Sequence, residues 1–300
     1  MKTEIIENYK NYGKVLSVSE GDTTLYITLD IGPRIIGFSY KGSENLFFED
    51  VERNTLQKTK DMEEHYGPGR HWYLYGGYRL WVSPEIMPYT YYPDNDPVEY
   101  KTEGSSVTLT PPPQKENGLA MRIKVSFTEG GILVENEIKN ISDEEKRCAA
   151  WGLSVMAKGG IALVPTRTDD TGFLANRLYA IWPYDDIKDE RFILDDRFVA
   201  LKQTDKDRAF KVGVNNKGGR VLYFKDGVLV TKQYNVTDEE YPDWGCSAEL
   251  YTCRDFLEAE SLSPLTCLKP GETLLHTELW TPESCPTPAF DTASLAKFVG

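Results

Sequence analysis

Short alternating runs of apolar and polar residues, each followed by turn residues, recur along the chain. Thr23-Thr-Leu-Tyr-Ile-Thr-Leu-Asp30 alternates, as do Met121-Arg-Ile-Lys-Val-Ser-Phe127, Ile132-Leu-Val-Glu-Asn-Glu-Ile138 and Val221-Leu-Tyr-Phe224. A period of two sends successive side chains to opposite faces, the mark of a strand with one buried side. Glycine turns at Glu129-Gly-Gly131, Lys217-Gly-Gly219 and Lys225-Asp-Gly227 separate the runs. Many short strands at this spacing predict an all-β, antiparallel sandwich or barrel. Helical periodicity is weak. One or two helical turns are expected within residues 46–64, and a short C-terminal helix within residues 291–298. Pro111-Pro-Pro113 reads as a rigid connection, and no low-complexity linker divides the chain, so residues 1–300 read as one domain.

Composition narrows the class. The 300 residues carry 34 Lys and Arg against 47 Asp and Glu, a net charge of −13. An acidic balance without a basic run argues against a nucleic-acid partner. No apolar run approaches the roughly 20 residues needed to span a bilayer, so no membrane partner is expected. The opening MKTEIIENYKNYG has no apolar stretch of a secretory signal, and a cytoplasmic location is expected. The five cysteines are odd in number and form no Cys-x-x-Cys pair, which fits free thiols. The sequons at Asn140-Ile-Ser142 and Asn235-Val-Thr237 then read as chance matches.

Standard catalytic motifs are missing. There is no Walker loop and no Gly-x-Gly-x-x-Gly, and Gly152-Leu-Ser-Val-Met156 fails the nucleophile elbow at its last position. The three histidines, His65, His71 and His276, lack zincin spacing, and no cysteine pairs with them as a zinc site. Asp94-Asn-Asp96, between prolines, reads as a polar turn because it lacks the glycine and terminal glutamate of a calcium loop. No metal and no cofactor are expected.

Two segments carry candidate chemistry. Residues 71–97 hold eight Trp or Tyr, wettable rings whose flat faces suit the C–H face of a sugar. Arg79 and Glu85 in the same run suit sugar hydroxyls. The competing reading is a Tyr-rich core and surface. In Phe256-Leu-Glu-Ala-Glu-Ser-Leu-Ser-Pro264, Glu258 and Glu260 are two apart and share a face of any strand. One of two such carboxyls titrates high if buried and suits a general base, whereas an exposed edge strand leaves both solvated. Glu249 and Glu278 read as surface charge.

Ordered along the chain, Ile31-Gly-Pro-Arg-Ile35, Glu44-Asn-Leu-Phe-Phe-Glu49, Gly76-Gly-Tyr-Arg-Leu-Trp-Val-Ser-Pro-Glu85, Ala150-Trp-Gly-Leu-Ser-Val-Met156 and Leu178-Tyr-Ala-Ile-Trp-Pro-Tyr184 are joined by Phe210-Lys-Val-Gly213, Glu249-Leu-Tyr-Thr252, Glu258-Ala-Glu-Ser-Leu-Ser-Pro264, Leu268-Lys-Pro-Gly-Glu272 and His276-Thr-Glu-Leu-Trp280. This series resembles the galactose mutarotase-like superfamily, in particular a bacterial branch with a Gly-Gly-His-Arg-Leu-Trp-x-x-Pro-Glu motif. The resemblance implies a single antiparallel β-supersandwich. It implies Glu260 as the base at the anomeric hydroxyl, with Glu258 second, and Arg34 as a sugar ligand. Mutarotases have Leu-His-Gly-Gly where this chain has Leu74-Tyr75-Gly76-Gly77, and the branch has histidine at Tyr78. A second mutarotase histidine is replaced near Trp151. His71 is then the candidate acid.

The resulting expectation is a carbohydrate-binding, aldose 1-epimerase-like isomerase, monomeric or homodimeric. Arg34, Tyr75, Tyr78, Arg79, Glu85 and Lys211 would contact the sugar, and Trp81, Trp151 and Trp182 would stack on it. The alternatives are a sugar-binding protein without catalysis, and a hydrolase or lyase using Glu85 and Glu260.

Overall fold

The computed structural model describes residues 1–216 and 218–299. Lys217, in one of the expected turns, lies outside the described residues. Among those described, the chain builds two large antiparallel sheets. The first runs in the order Lys2–Ile6, Val15–Glu20, Thr23–Thr28, Ile35–Tyr40, Gly77–Ser83, Lys146–Met156, Leu257–Leu262, Ala248–Thr252, Phe210–Val214, Tyr179–Ile181, with Thr266–Leu268 attached to Lys146–Met156. The second runs Phe192–Leu194, Phe198–Lys202, Ile161–Pro165, Arg220–Lys225, Val228–Tyr234, Thr273–Ser284, Gly131–Asn140, Leu119–Thr128, Ser106–Thr110, Glu99–Glu103. The alternating runs read from the sequence are all strands. Leu119–Thr128 and Gly131–Asn140, for example, form a hairpin across Glu129-Gly130, with Val125 opposite Val134.

The inward faces of both sheets share one apolar core that includes Leu25, Ile35, Val125, Val134, Leu250, Leu257 and Trp280. The helices are short. Lys60–Tyr66 is capped by Thr59, whose hydroxyl accepts from Met62 N at 3.3 Å, and lies at the end of the stretch expected to be helical. Thr292–Leu295 is capped by Asp291 and buries Leu295 against the outer side of the second sheet. No helix among the described residues is long and apolar enough to cross a membrane.

The Leu74-Tyr-Gly-Gly corner delivers the chain into the first sheet. Tyr75, Gly76 and Gly77 all have positive φ, at 58°, 103° and 64°. A Cβ on Gly77 would sit 2.2 Å from the Ile35 carbonyl oxygen, so only glycine lets the two backbones approach there.

The first sheet has an outer face on which strand register aligns side chains in rows. One row runs Val155, Glu258, Tyr251, Lys211. The next runs Arg79, Leu153, Glu260, Glu249, Gly213, Ala180. A third begins with Trp81, Trp151 and Leu262. These rows form the floor of the site described below.

Between the sheets lies a buried polar network. Lys232 Nζ donates to Ser154 Oγ at 3.0 Å and to the Ala259 carbonyl at 3.0 Å, and sits 3.1 Å from Glu278 Oε1. Glu278 also accepts from Ser261 Oγ and, at 2.6 Å, from Trp280 Nε1. Ser261 Oγ lies 2.7 Å from His276 Nε2. The sequence reading of Glu278 and Glu249 as surface charge is overturned, since both are fully buried. Each has a lysine from the neighbouring strand of its sheet beside it.

Burial lowers the His276 pKa from 6.5 to about 4. The unfolded chain therefore takes up this proton at a higher pH than the folded one. The contribution is present above pH 6.5 and is lost as pH falls toward 4, by which point the loss amounts to about 3 kcal/mol. Glu249 and Glu258, whose carboxyls burial pushes up, act in the opposite sense on acidification. The expected result is thus a difference: between pH 6.5 and 4 the wild type loses stability relative to His276→Gln in denaturant titrations. Parallel curves would show that His276 does not titrate in this window.

Candidate functional site

On the outer face of the first sheet opens a cleft of 340 Å³. Its floor is the rowed surface just described. One wall is the loop that follows Gly77–Ser83 and carries Glu85 and Tyr91, and the opposite wall is the turn carrying Trp182 and Tyr184. Asp185 fixes that turn. Its carboxylate accepts from Trp182 N at 2.7 Å and from Lys211 N at 2.8 Å, which ties the wall to the adjacent strand.

Eight aromatic side chains among the described residues line the cleft. Trp81 meets Trp151 edge-on with centroids 5.7 Å apart, Tyr91 at 4.9 Å and Trp72 at 5.0 Å. Such clusters hold the rings in fixed orientations. The Arg79 guanidinium lies 4.3 Å from the Trp81 centroid. It donates from Nη2 to Glu258 Oε1 at 3.1 Å, while its Nε and Nη1 have no protein acceptor. Trp72 Nε1 is likewise without a protein acceptor. The buried floor thus offers hydrogen-bond donors that secondary structure does not use.

The floor's charges form two units. Glu258 is paired with Arg79 and keeps 11% side-chain exposure. Burial raises its carboxyl above the ordinary range; Arg79 opposes the rise and Glu260 adds to it. In the second unit, Glu249 and Glu260 stand directly opposite each other on neighbouring strands. Lys211 Nζ bridges them, 2.7 Å from Glu249 and 3.4 Å from Glu260. Trp151 Nε1 donates to Glu260 at 2.7 Å, so long side chains from the rows on either side close over this carboxylate pair. Burial pushes the Glu249 carboxyl well above the ordinary range, with Glu260 acting in the same direction and Lys211 opposing it. Burial also works against the Lys211 charge, but Glu249 and Glu260 outweigh it and hold the ammonium protonated. Lys211 sits between the rings of Trp151 and Trp182, 4.7 and 4.8 Å from their centroids.

The residues expected in the site separate accordingly. Arg79, Trp81, Glu85, Trp151, Trp182, Lys211 and Glu258 all line the cleft. Glu260 shares the face of Glu258, as their spacing implies, but is fully enclosed beneath Lys211 and Trp151. Tyr78 points the other way because it alternates with Arg79; its ring packs on Trp280 between the sheets, with centroids 4.9 Å apart. Tyr75 is buried in a separate cluster with Tyr12, and its hydroxyl donates to Asn95 at 2.7 Å. Arg34 is buried and bonded to Asp94 through both terminal nitrogens. His71 lies outside the cleft lining; its carbonyl accepts from Asn95 at 2.7 Å. The 94–96 turn therefore anchors the loop: Asp94 to Arg34, Asn95 to Tyr75 and His71, and Asp96 to Arg70.

Tyr91, Tyr184, Tyr251 and Trp72 line the cleft without having been singled out. Tyr251 was accessible by spacing, since it lies two positions from Glu249 and so shares its face. Burial raises the phenols of Tyr91, Tyr184 and Tyr251, which leaves them protonated. No group of His, Cys, Asp and Glu among the described residues is arranged to hold a metal ion. All five cysteines are free.

No protein-family model matches the sequence, and no curated protein matches it. Solved structures do. A galactose mutarotase-like protein from Lactobacillus casei superposes with a TM-score of 0.57 at 11% identity, covering 90% of this chain and 100% of that one. A putative aldose 1-epimerase from Escherichia coli gives 0.53 at 10% identity, covering 90% and 99%. A TPR-domain containing protein from Parabacteroides distasonis gives 0.62 at 15% identity; 93% of this chain corresponds to 48% of that protein. With two antiparallel sheets in this order and these likenesses over nine-tenths of its length, the chain has the fold of the galactose mutarotase-like superfamily.

Proposed function

We propose that the protein binds a carbohydrate in the aromatic cleft and that Glu258 moves the proton of the anomeric hydroxyl. The observation that carries this reading is the Arg79–Glu258 pair on the floor between facing aromatic walls. Flat rings suit the apolar face of a pyranose, and the unused Arg79 and Trp72 donors suit its hydroxyls. Glu258 reaches the cleft, and burial raises its carboxyl above the ordinary range, the direction that makes a carboxylate a stronger base. As Glu258 takes the hydroxyl proton, the bond from the anomeric carbon to the ring oxygen breaks. Reclosure on the other face of the aldehyde then gives the other anomer.

The proton for the ring oxygen would come from Lys211 or a cleft tyrosine, all held in their protonated forms. Each is a weak acid near neutral pH, and no histidine is among the residues lining the cleft. That observation favours a second reading, in which the cleft binds sugar without turning it over. Glu260, enclosed beneath Lys211, is better placed to keep that lysine charged than to touch substrate. This also disfavours a hydrolase built on Glu85 and Glu260.

Anomeric exchange measured by NMR on free aldoses and uronic acids separates the readings. Acceleration of exchange on at least one sugar is expected. Line broadening without acceleration would establish the second reading, and neither effect on any sugar would overturn both.

A further inference from the structure

A second cleft, of 560 Å³, opens on the same outer face of the first sheet. It is lined by Pro84, Arg167, Asn215, Asp243, Trp244 and Ser247, among others. The two clefts share strands. Along Phe210–Val214, Lys211 lines the first, and Asn215, just past the strand end, lines the second. Along Ala248–Thr252, Tyr251 lines the first, and Ser247, just before the strand, lines the second. In each case the two positions are four residues apart, so they project from the same face about 13 Å from one another. The clefts also share a wall, since Pro84 borders one and Glu85 the other.

At the far side of the second cleft, Trp244 is 92% exposed. Its backbone holds it there: Asp243, Trp244 and Gly245 have φ of 51°, 68° and 117°, and the N–H groups of Gly245 and Cys246 both donate to the Pro242 carbonyl, at 2.9 and 2.8 Å. The left-handed region is disfavoured for a bulky side chain, so the turn presents the ring to solvent against a conformational cost. An exposed indole and the neighbouring Asp243, both bordering the cleft, supply the same kinds of group as the first cleft, an aromatic ring and a carboxylate acceptor for hydroxyls.

We infer that the substrate is an oligosaccharide spanning both clefts. Its reducing-end residue lies against Arg79 and Glu258, and a residue linked to it through a ring hydroxyl lies against Trp244. The inference rests on the carbohydrate reading of the first cleft. A single pyranose cannot bridge the two positions, whereas a short chain of linked rings can. Linkage through a ring hydroxyl leaves the anomeric hydroxyl free for Glu258.

Calorimetric titration of the full chain tests it with glucose, galactose and glucuronic acid, and with maltose, maltotriose, cellobiose, cellotriose and lactose. At least one oligosaccharide should bind about tenfold or more tightly than its monomer, and Trp244→Ala should remove that gain without altering monosaccharide affinity. Because Trp244 is exposed, the variant should melt with the wild type. Trp182→Ala should weaken every ligand. Monosaccharides that bind as tightly as their oligomers, with no effect of Trp244→Ala, would overturn the inference and leave the first cleft's reading standing. Oligosaccharide binding that needs Trp244 but not Trp182 would overturn the placement of the reducing end and the carbohydrate reading of the first cleft with it. Failure of the whole panel to bind would overturn both.

Discussion

Glu258→Gln is expected to slow anomeric exchange by about 10²–10⁴-fold, the contribution of a positioned general base, while sugar affinity stays within several-fold. The amide keeps the shape of the side chain and an oxygen for Arg79 Nη2, which now bonds Glu258 at 3.1 Å, so what is removed is the capacity to accept a proton. Glu260→Gln is the informative comparison. Its oxygen still accepts from Trp151, but Lys211 loses one of the two carboxylates that hold its charge. A loss of less than about tenfold is expected there, because Glu260 would act through Lys211 and not on the sugar. The reverse ranking would give the base to Glu260 and require Lys211 and Trp151 to move aside. The pH profile is a second readout. Glu258 must be ionised to accept a proton, so activity should rise with pH through a value above the ordinary carboxylate range, and that limb should vanish in Glu258→Gln.

Lys232→Met should destabilise the fold by about 3–5 kcal/mol, because it strips the cation from a carboxylate enclosed between the sheets. Glu278 would keep its bonds from Ser261 and Trp280 but carry its charge into the core unpaired. The pair itself has a large desolvation cost, as the lowered Lys232 pKa reflects: burial outweighs the attraction of Glu278. Replacing both partners should therefore cost much less than replacing one, and Lys232→Met with Glu278→Gln should recover most of the loss in chemical denaturation. A single-variant cost below about 1 kcal/mol would show that the fold does not depend on the Lys232 cation.

The alternating runs were enough to read strands and an all-β architecture, since one face of each strand is buried and the period of two survives in the sequence. The common face of Glu258 and Glu260 was legible for the same reason. What separates those two residues was not. Glu260 is sealed by Lys211 and Trp151, which meet it only because Leu257–Leu262 lies between Lys146–Met156 and Ala248–Thr252, with Phe210–Val214 next beyond. Strand order of that kind is set by the whole core and leaves no local trace. Arg34, Tyr75 and Tyr78 were singled out from motifs along the chain, but their side chains lie outside the cleft and have structural partners in Asp94, Asn95 and Trp280, which sequence order does not reveal. The burial of Glu278 was hidden because Lys232 comes from another strand, although Leu274, His276 and Trp280 share its parity and are buried with it.

The rows on the outer face have a consequence for assembly. If Leu257–Leu262 slipped by one residue against its neighbours, Glu258 and Glu260 would turn inward, Arg79 would face the cleft without its carboxylate, Lys211 would be left with Glu249 alone, and Ser261 would leave His276 and Glu278. Apolar residues alone would discriminate weakly, since Leu257, Ala259 and Leu262 are buried on one side or the other. Charges that add little net stability when correctly matched become several uncompensated buried ions when mismatched. The same groups that equip the cleft thus serve as an alignment key for the centre of the sheet, making the wrong pairing self-rejecting.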